Sequence, residues 1–183
     1  MKLVATEIEG AFVVEVEPVS DDRGSFHRQW CARELAGHGL RADLVQVSVS
    51  INTVRGTLRG MHYQTAPHGE TKLVSCQRGA IYDVLVDLRP GPTHHRWVGY
   101  ELTAVNRRML YVPEGVAHGF LTLEDASEVQ YFISTYYEPA SARGVRYDDP
   151  AFGIRWPGPA AVISARDAGY PDVVGAAPTD GTP

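Results

Sequence analysis

The apolar residues of this chain come in short runs that alternate in period two and are cut by Gly, Pro, Asp and Asn roughly every 8–12 residues. Leu44 to Ile51 shows the pattern most cleanly. Val45, Val47, Val49 and Ile51 fall on one face, and Gln46, Ser48 and Ser50 on the other. Such a strand is expected to turn its apolar face to a core and its small polar face to a cavity. Further strands are predicted at Phe12–Val19, Lys72–Gln77, Ile81–Leu88, Trp97–Leu102, Arg108–Val112, Gly119–Leu123 and Glu128–Tyr136. Asp21-Asp22-Arg23-Gly24 reads as a turn, and Cys31 to Leu35 as a short helix. The expected class is all-β, an antiparallel sandwich or barrel with short peripheral helices.

A chain of 183 residues suits one domain, expected here over residues 1–173. Residues 174–183, rich in Gly, Ala, Pro and Thr, are expected to form a flexible tail. No apolar run approaches the ~18 residues of a membrane span, and acid arrives too early in the N-terminus for a secretory signal. The expected location is cytoplasmic. Cys31 and Cys76 lack metal-site spacing and are expected to be buried free thiols. A net charge of -5 argues against nucleic acid, so an anionic ligand must be met by locally placed cations.

Those cations cluster around Gly56-Thr57-Leu58-Arg59-Gly60-Met61-His62-Tyr63-Gln64, with Lys72 ten residues beyond His62. An imidazole base beside a guanidinium and an ammonium suits removal of a proton next to a carbonyl in an anionic substrate. Tyr131 and Tyr137 are six residues apart in a strand-like run, so period two would place them on one face with Val129, Ile133 and Thr135.

The segment Pro113-Glu114-Gly115-Val116-Ala117-His118, with the upstream Gly56…His62…Gln64…Glu70…Gly79 series, resembles the two half-motifs of the cupin superfamily, small jelly-roll barrels. Gln64 stands where a metal-binding cupin has a second His. First-row metals favour imidazole and carboxylate over a neutral amide, so no metal is expected. The resemblance sharpens over an ordered set. It comprises Asp22–Phe26, Leu58–Gln64, Lys72, Asp83–Arg89, Val112–Phe120, Tyr131, Tyr137, Asp148-Asp149-Pro150, Ile154–Pro157 and Ile163–Asp167. Together these are similar to the dTDP-4-dehydrorhamnose 3,5-epimerase family.

The resemblance implies a cofactor-free, usually homodimeric enzyme acting on a nucleotide-diphosphate 4-keto-6-deoxyhexose. By position, His62 would be the base, Asp167 its orienting acid and Tyr131 the acid on the opposite face, with Lys72 and His118 near the sugar. Arg23 and Arg59 would hold the diphosphate and Gln46 would meet the nucleotide. Arg28, Ser48, Tyr137 and Arg166 complete the expected substrate contacts. The family pattern breaks at Phe26-His27-Arg28, where an acid is usual, at Gln46-Val47-Ser48, where Gln-x-Asn is usual, and at Ala140-Ser141-Ala142-Arg143, where a Glu is expected. These departures cluster where the carrier would be read, leaving a cytidine or guanosine diphosphate sugar open. A metal-dependent cupin enzyme and a non-catalytic sugar-nucleotide binder are the competing readings.

Overall fold

The computed structural model describes residues 1–173, and its regular structure is nearly all antiparallel β-strand. One sheet holds β1 (Lys2–Ala5), β2 (Phe12–Glu15), β10 (Met109–Val112), β7 (Lys72–Arg78), β12 (Ser127–Ile133) and β5 (Gln46–Asn52), in that spatial order. The other runs β13 (Ala142–Gly144), β6 (Thr57–Gln64), β11 (Val116–Thr122), β8 (Ala80–Asp87), β9 (Trp97–Thr103). A small hairpin, β3 (Val19–Asp21) with β4 (Gly24–Phe26), stands apart from both. The short helix α1 spans Ala32–Gly37, and a single turn, α2, spans Ala165–Ala168. This is the expected jelly-roll barrel. The expected tail, residues 174–183, lies outside the described residues.

Period two sorts the side chains into three apolar layers. Val74, Cys76, Ile81, Leu85, Leu110, Phe120 and Val129 point between the sheets and form the barrel core. Leu73, Met109 and Tyr111, one residue out of phase, pack under Leu35 of α1. Met61, Val84, Val86 and Ala117 cover the other outer face and are capped by Val145, Ala151 and Phe152. Burying a large aliphatic side chain contributes about 1.5–3 kcal/mol, so these layers supply the main driving force for closure.

Two expectations need correction. The apolar face of β5 does not meet the core. Val45, Val47, Val49 and Ile51 remain 44–66% exposed, because β5 is an edge strand whose outer face no described segment covers. Its polar face does turn inward, as Ser48 pairs with Tyr131 and Gln46 with Ile133. Cys76 is buried, but Cys31 is only half-buried.

Candidate active site

Arg59 and His62 are three residues apart on β6, a spacing that sends side chains to opposite faces of a regular strand. Both line the same cavity. The cause is a bulge. His118 pairs with His62 and Phe120 with Arg59, so β6 carries one more residue than β11 between those pairs. The two strands come closest there at Gly60 and Gly119, and a Cβ on Gly60 would stand 2.5 Å from Gly119 Cα. Gly60 also has φ +142°, a backbone state open mainly to glycine.

The cavity has a volume of about 320 Å³, within the usual range for small-molecule sites. It opens between the sheets at the end of the barrel core. His62 Nε2 lies 2.8 Å from Asp167 Oδ1, and Asp167 Oδ2 accepts from the Gly60 N–H at 3.3 Å. Asp167 is carried there by β14 (Val162–Ile163), which pairs in parallel with Thr57 and Leu58 of β6. Ser164 then caps α2 by accepting from the Asp167 N–H. Burial pushes the Asp167 carboxyl up, but the His62 hydrogen bond and charge, with the Gly60 and Ser164 contacts, outweigh it and hold the carboxyl below its ordinary value.

A second imidazole–carboxylate pair faces the first across the β6–β11 ladder. His118 Nε2 lies 2.6 Å from Asp83 Oδ1, and Asp83 is fully buried, its Oδ2 without a hydrogen-bond partner among the described residues. Burial raises the Asp83 carboxyl against the lowering effect of His118 and Lys72. Tyr131 lies edge-on to His118, ring centroids 5.8 Å apart, and among the described residues no hydrogen bond engages its hydroxyl. Burial, reinforced by the Asp83 charge, raises the Tyr131 phenol well above its ordinary value, so it stays protonated. Lys72 is buried, donates to the His62 carbonyl at 3.3 Å and is paired with Glu70 at 2.9 Å.

The cavity is basic inside an acidic chain. Arg59, Arg143 and Arg166 line it, and among the described residues none of them is paired with a carboxylate. Arg59 is aimed by Asn52, whose Oδ1 accepts from its Nε at 2.7 Å, and Arg143 by the carbonyls of Ala140 and Ala142.

The fold therefore brings His62, Lys72, Arg59, His118, Tyr131, Tyr137 and Arg166 to one cavity, with Asp167 behind His62. Tyr137 arrives by a different route from the expected one. β12 ends at Ile133, and Tyr137 reaches the mouth from the loop beyond it, 61% exposed. Gln46 and Ser48 share the inward face of β5 but do not line the cavity; Ser50 does. Arg23 and Arg28 are not brought to it. The Arg23 side chain projects from the β3–β4 hairpin, 89% exposed and held by Asp21, while Arg28 is held by Glu34.

Sequence reasoning missed Asn52, Asp83 and Arg143. Asp83 could have been found, since it keeps step with Ile81 and Leu85 on the inward face of β8. Gln64, expected at a vacated ligand position, is committed to backbone: its amide donates to the His68 and Tyr136 carbonyls and accepts from the Glu138 N–H. Among the described residues no three His, Cys, Asp or Glu side chains group as a metal site, and no helix is long and apolar enough to cross a membrane.

The jelly-roll barrel thus gathers a His–Asp pair, a buried phenol and three guanidiniums at one cavity. The dTDP-4-dehydrorhamnose 3,5-epimerase family matches residues 5–174, and the chain belongs to that family. It is an epimerase. The chain is 37% identical over 169 residues to dTDP-4-dehydrorhamnose 3,5-epimerase of Shigella flexneri, covering 91% of this chain and 93% of that one. It is 40% identical over 171 residues to dTDP-4-dehydrorhamnose 3-epimerase of Streptomyces niveus, covering 91% and 81%. The crystal structure of dTDP-4-dehydrorhamnose 3,5-epimerase from Bacillus anthracis strain Ames, with TDP and PPi bound, superposes with a TM-score of 0.90. It is 39% identical, with 94% of this chain and 99% of that one covered.

Proposed function

We propose that the chain epimerises a nucleoside-diphosphate-linked 4-keto-6-deoxyhexose at C3, C5 or both. His62 removes the proton on the carbon beside the C4 ketone, and Asp167 fixes its tautomer and stabilises the imidazolium that forms. Lys72 meets the enolate oxygen. Tyr131 returns a proton to the opposite face, and its raised phenol suits a group that must be protonated when the enolate forms. Arg59 and Arg166 take the diphosphate end. The observation that carries this reading is the placement of His62 with its carboxylate, Lys72 and Tyr131 around one basic cavity.

The relatives' names support dTDP as the carrier and include both 3,5- and 3-epimerases. Incubation with dTDP-4-keto-6-deoxyglucose in D2O decides how many centres react, since deuterium enters only at carbons that are deprotonated. Incorporation at neither carbon overturns the proposal. Titration with thymidine, cytidine and guanosine diphosphates fixes the carrier.

The reading extends to a homodimer. The exposed apolar row of β5, and separately Phe26, 77% exposed on the β3–β4 hairpin, are apolar surface that a second copy could cover. Arg23 and Arg28, remote from the cavity of their own chain, then serve the cavity of a second copy.

A further inference from the structure

Tyr170 has no part in the mechanism above, yet it touches two of the residues that do. Its hydroxyl accepts a hydrogen bond from Arg166 Nε at 2.9 Å, and the Tyr137 hydroxyl adjoins the same guanidinium. Its ring stands edge-to-face with the His62 imidazole, centroids 6.2 Å apart and planes at 72°. Room for that ring comes from β13, which sets Gly144 directly opposite His62. A Cβ on Gly144 would lie 2.2 Å from Tyr170 Cζ and 2.3 Å from Cε2. Gly144 is not among the residues with positive φ, so the site uses its missing side chain and not its backbone freedom.

We infer that Tyr170 is a positioning residue of this site, fixing the Arg166 guanidinium at the cavity mouth and walling one side of the His62 ring. The inference rests on the roles proposed for His62 and Arg166. An arginine already held by a phenol gives up less freedom when a substrate arrives. An imidazole held by a carboxylate on one edge and a ring beside it has fewer orientations to sample. Tyr170 lies three residues after Asp167, so one chain turn supplies both restraints.

Two substitutions separate the halves. Tyr170→Phe keeps the wall and loses the anchor: KM for dTDP-4-keto-6-deoxyglucose is expected to rise about 3–10-fold with kcat nearly unchanged. In an Arg166→Ala background the same change should add nothing, because the hydroxyl acts through that guanidinium. Tyr170→Ala should in addition lower kcat about tenfold at an unchanged fold. An unaltered KM in Tyr170→Phe, equal KM losses in both backgrounds, or an unaltered kcat in Tyr170→Ala each overturns the inference. Wild-type protein that leaves both carbon-bound hydrogens in place strikes at the proposed function instead. The His62 signals in long-range ¹H–¹⁵N spectra then decide, since they should move in Tyr170→Ala, and signals that stay put count against the positioning role.

Discussion

Arg59 and His62 share a cavity because β6 bulges between them, where Gly60 lies against Gly119 of β11 with no side chain between the two backbones. The bulge converts an odd spacing into a common face, and it turns the Gly60 N–H toward Asp167. One local irregularity thus sets Arg59, His62 and the Asp167 contact together.

Gly60→Ala is therefore expected to destabilise the protein by about 2–4 kcal/mol, through the Cβ clash with Gly119 and the disallowed backbone state. Urea unfolding measures it. A loss below about 0.5 kcal/mol would show that this close approach tolerates a side chain.

Asp167→Asn tests the carboxylate behind the base. The folded carboxyl titrates below its unfolded value of about 3.9, so its stabilisation is fully present above that value and is lost as pH falls through the folded pKa. The variant should be about 1–3 kcal/mol less stable than wild type at pH 7, with the gap closing below about pH 4. Its kcat should fall at least about tenfold. Denaturant melts across pH 3–7 would reveal a pH-independent gap if the pairing were not ionic.

His62→Ala and Tyr131→Phe should fail in different ways. The first loses deuterium exchange and epimerisation together, each by about 10²–10⁴-fold. The second keeps the base, so it should still exchange the substrate hydrogen with solvent while inverted product falls by about 10²-fold or more. Equal loss of exchange in both variants would remove Tyr131 from its assigned step.

The proposed homodimer predicts complementation. Arg23→Ala and His62→Ala proteins, each weak alone, should regain about a quarter of wild-type activity when unfolded together and refolded at equal amounts, since half the dimers carry one intact site. No recovery would place Arg23 outside the partner's cavity.

Much of the barrel was legible because period two survives in its strands, and the inward run Lys72, Val74, Cys76 on β7 is set by alternation alone. Alternation does not say which face something covers, and β5 went wrong on that point: its valines look like core and stay exposed. The bulge was invisible for a related reason, since it is a property of two strands and neither glycine announces its partner. His62, Lys72, Tyr131 and Asp167 were placed through the ordered motif set. Asn52 and Arg143 were missed, because their use depends on where a loop or strand end happens to aim a guanidinium.

The two-residue strand β14 carries a last consequence. Asp167 follows His62 by 105 positions and is delivered through that strand's pairing with Thr57 and Leu58. A chain severed before Val162 would keep the strands of both six- and five-membered sheets yet present a bare imidazole. The barrel and the partner of its proposed base are thus supplied by separate stretches of the chain, 105 positions apart.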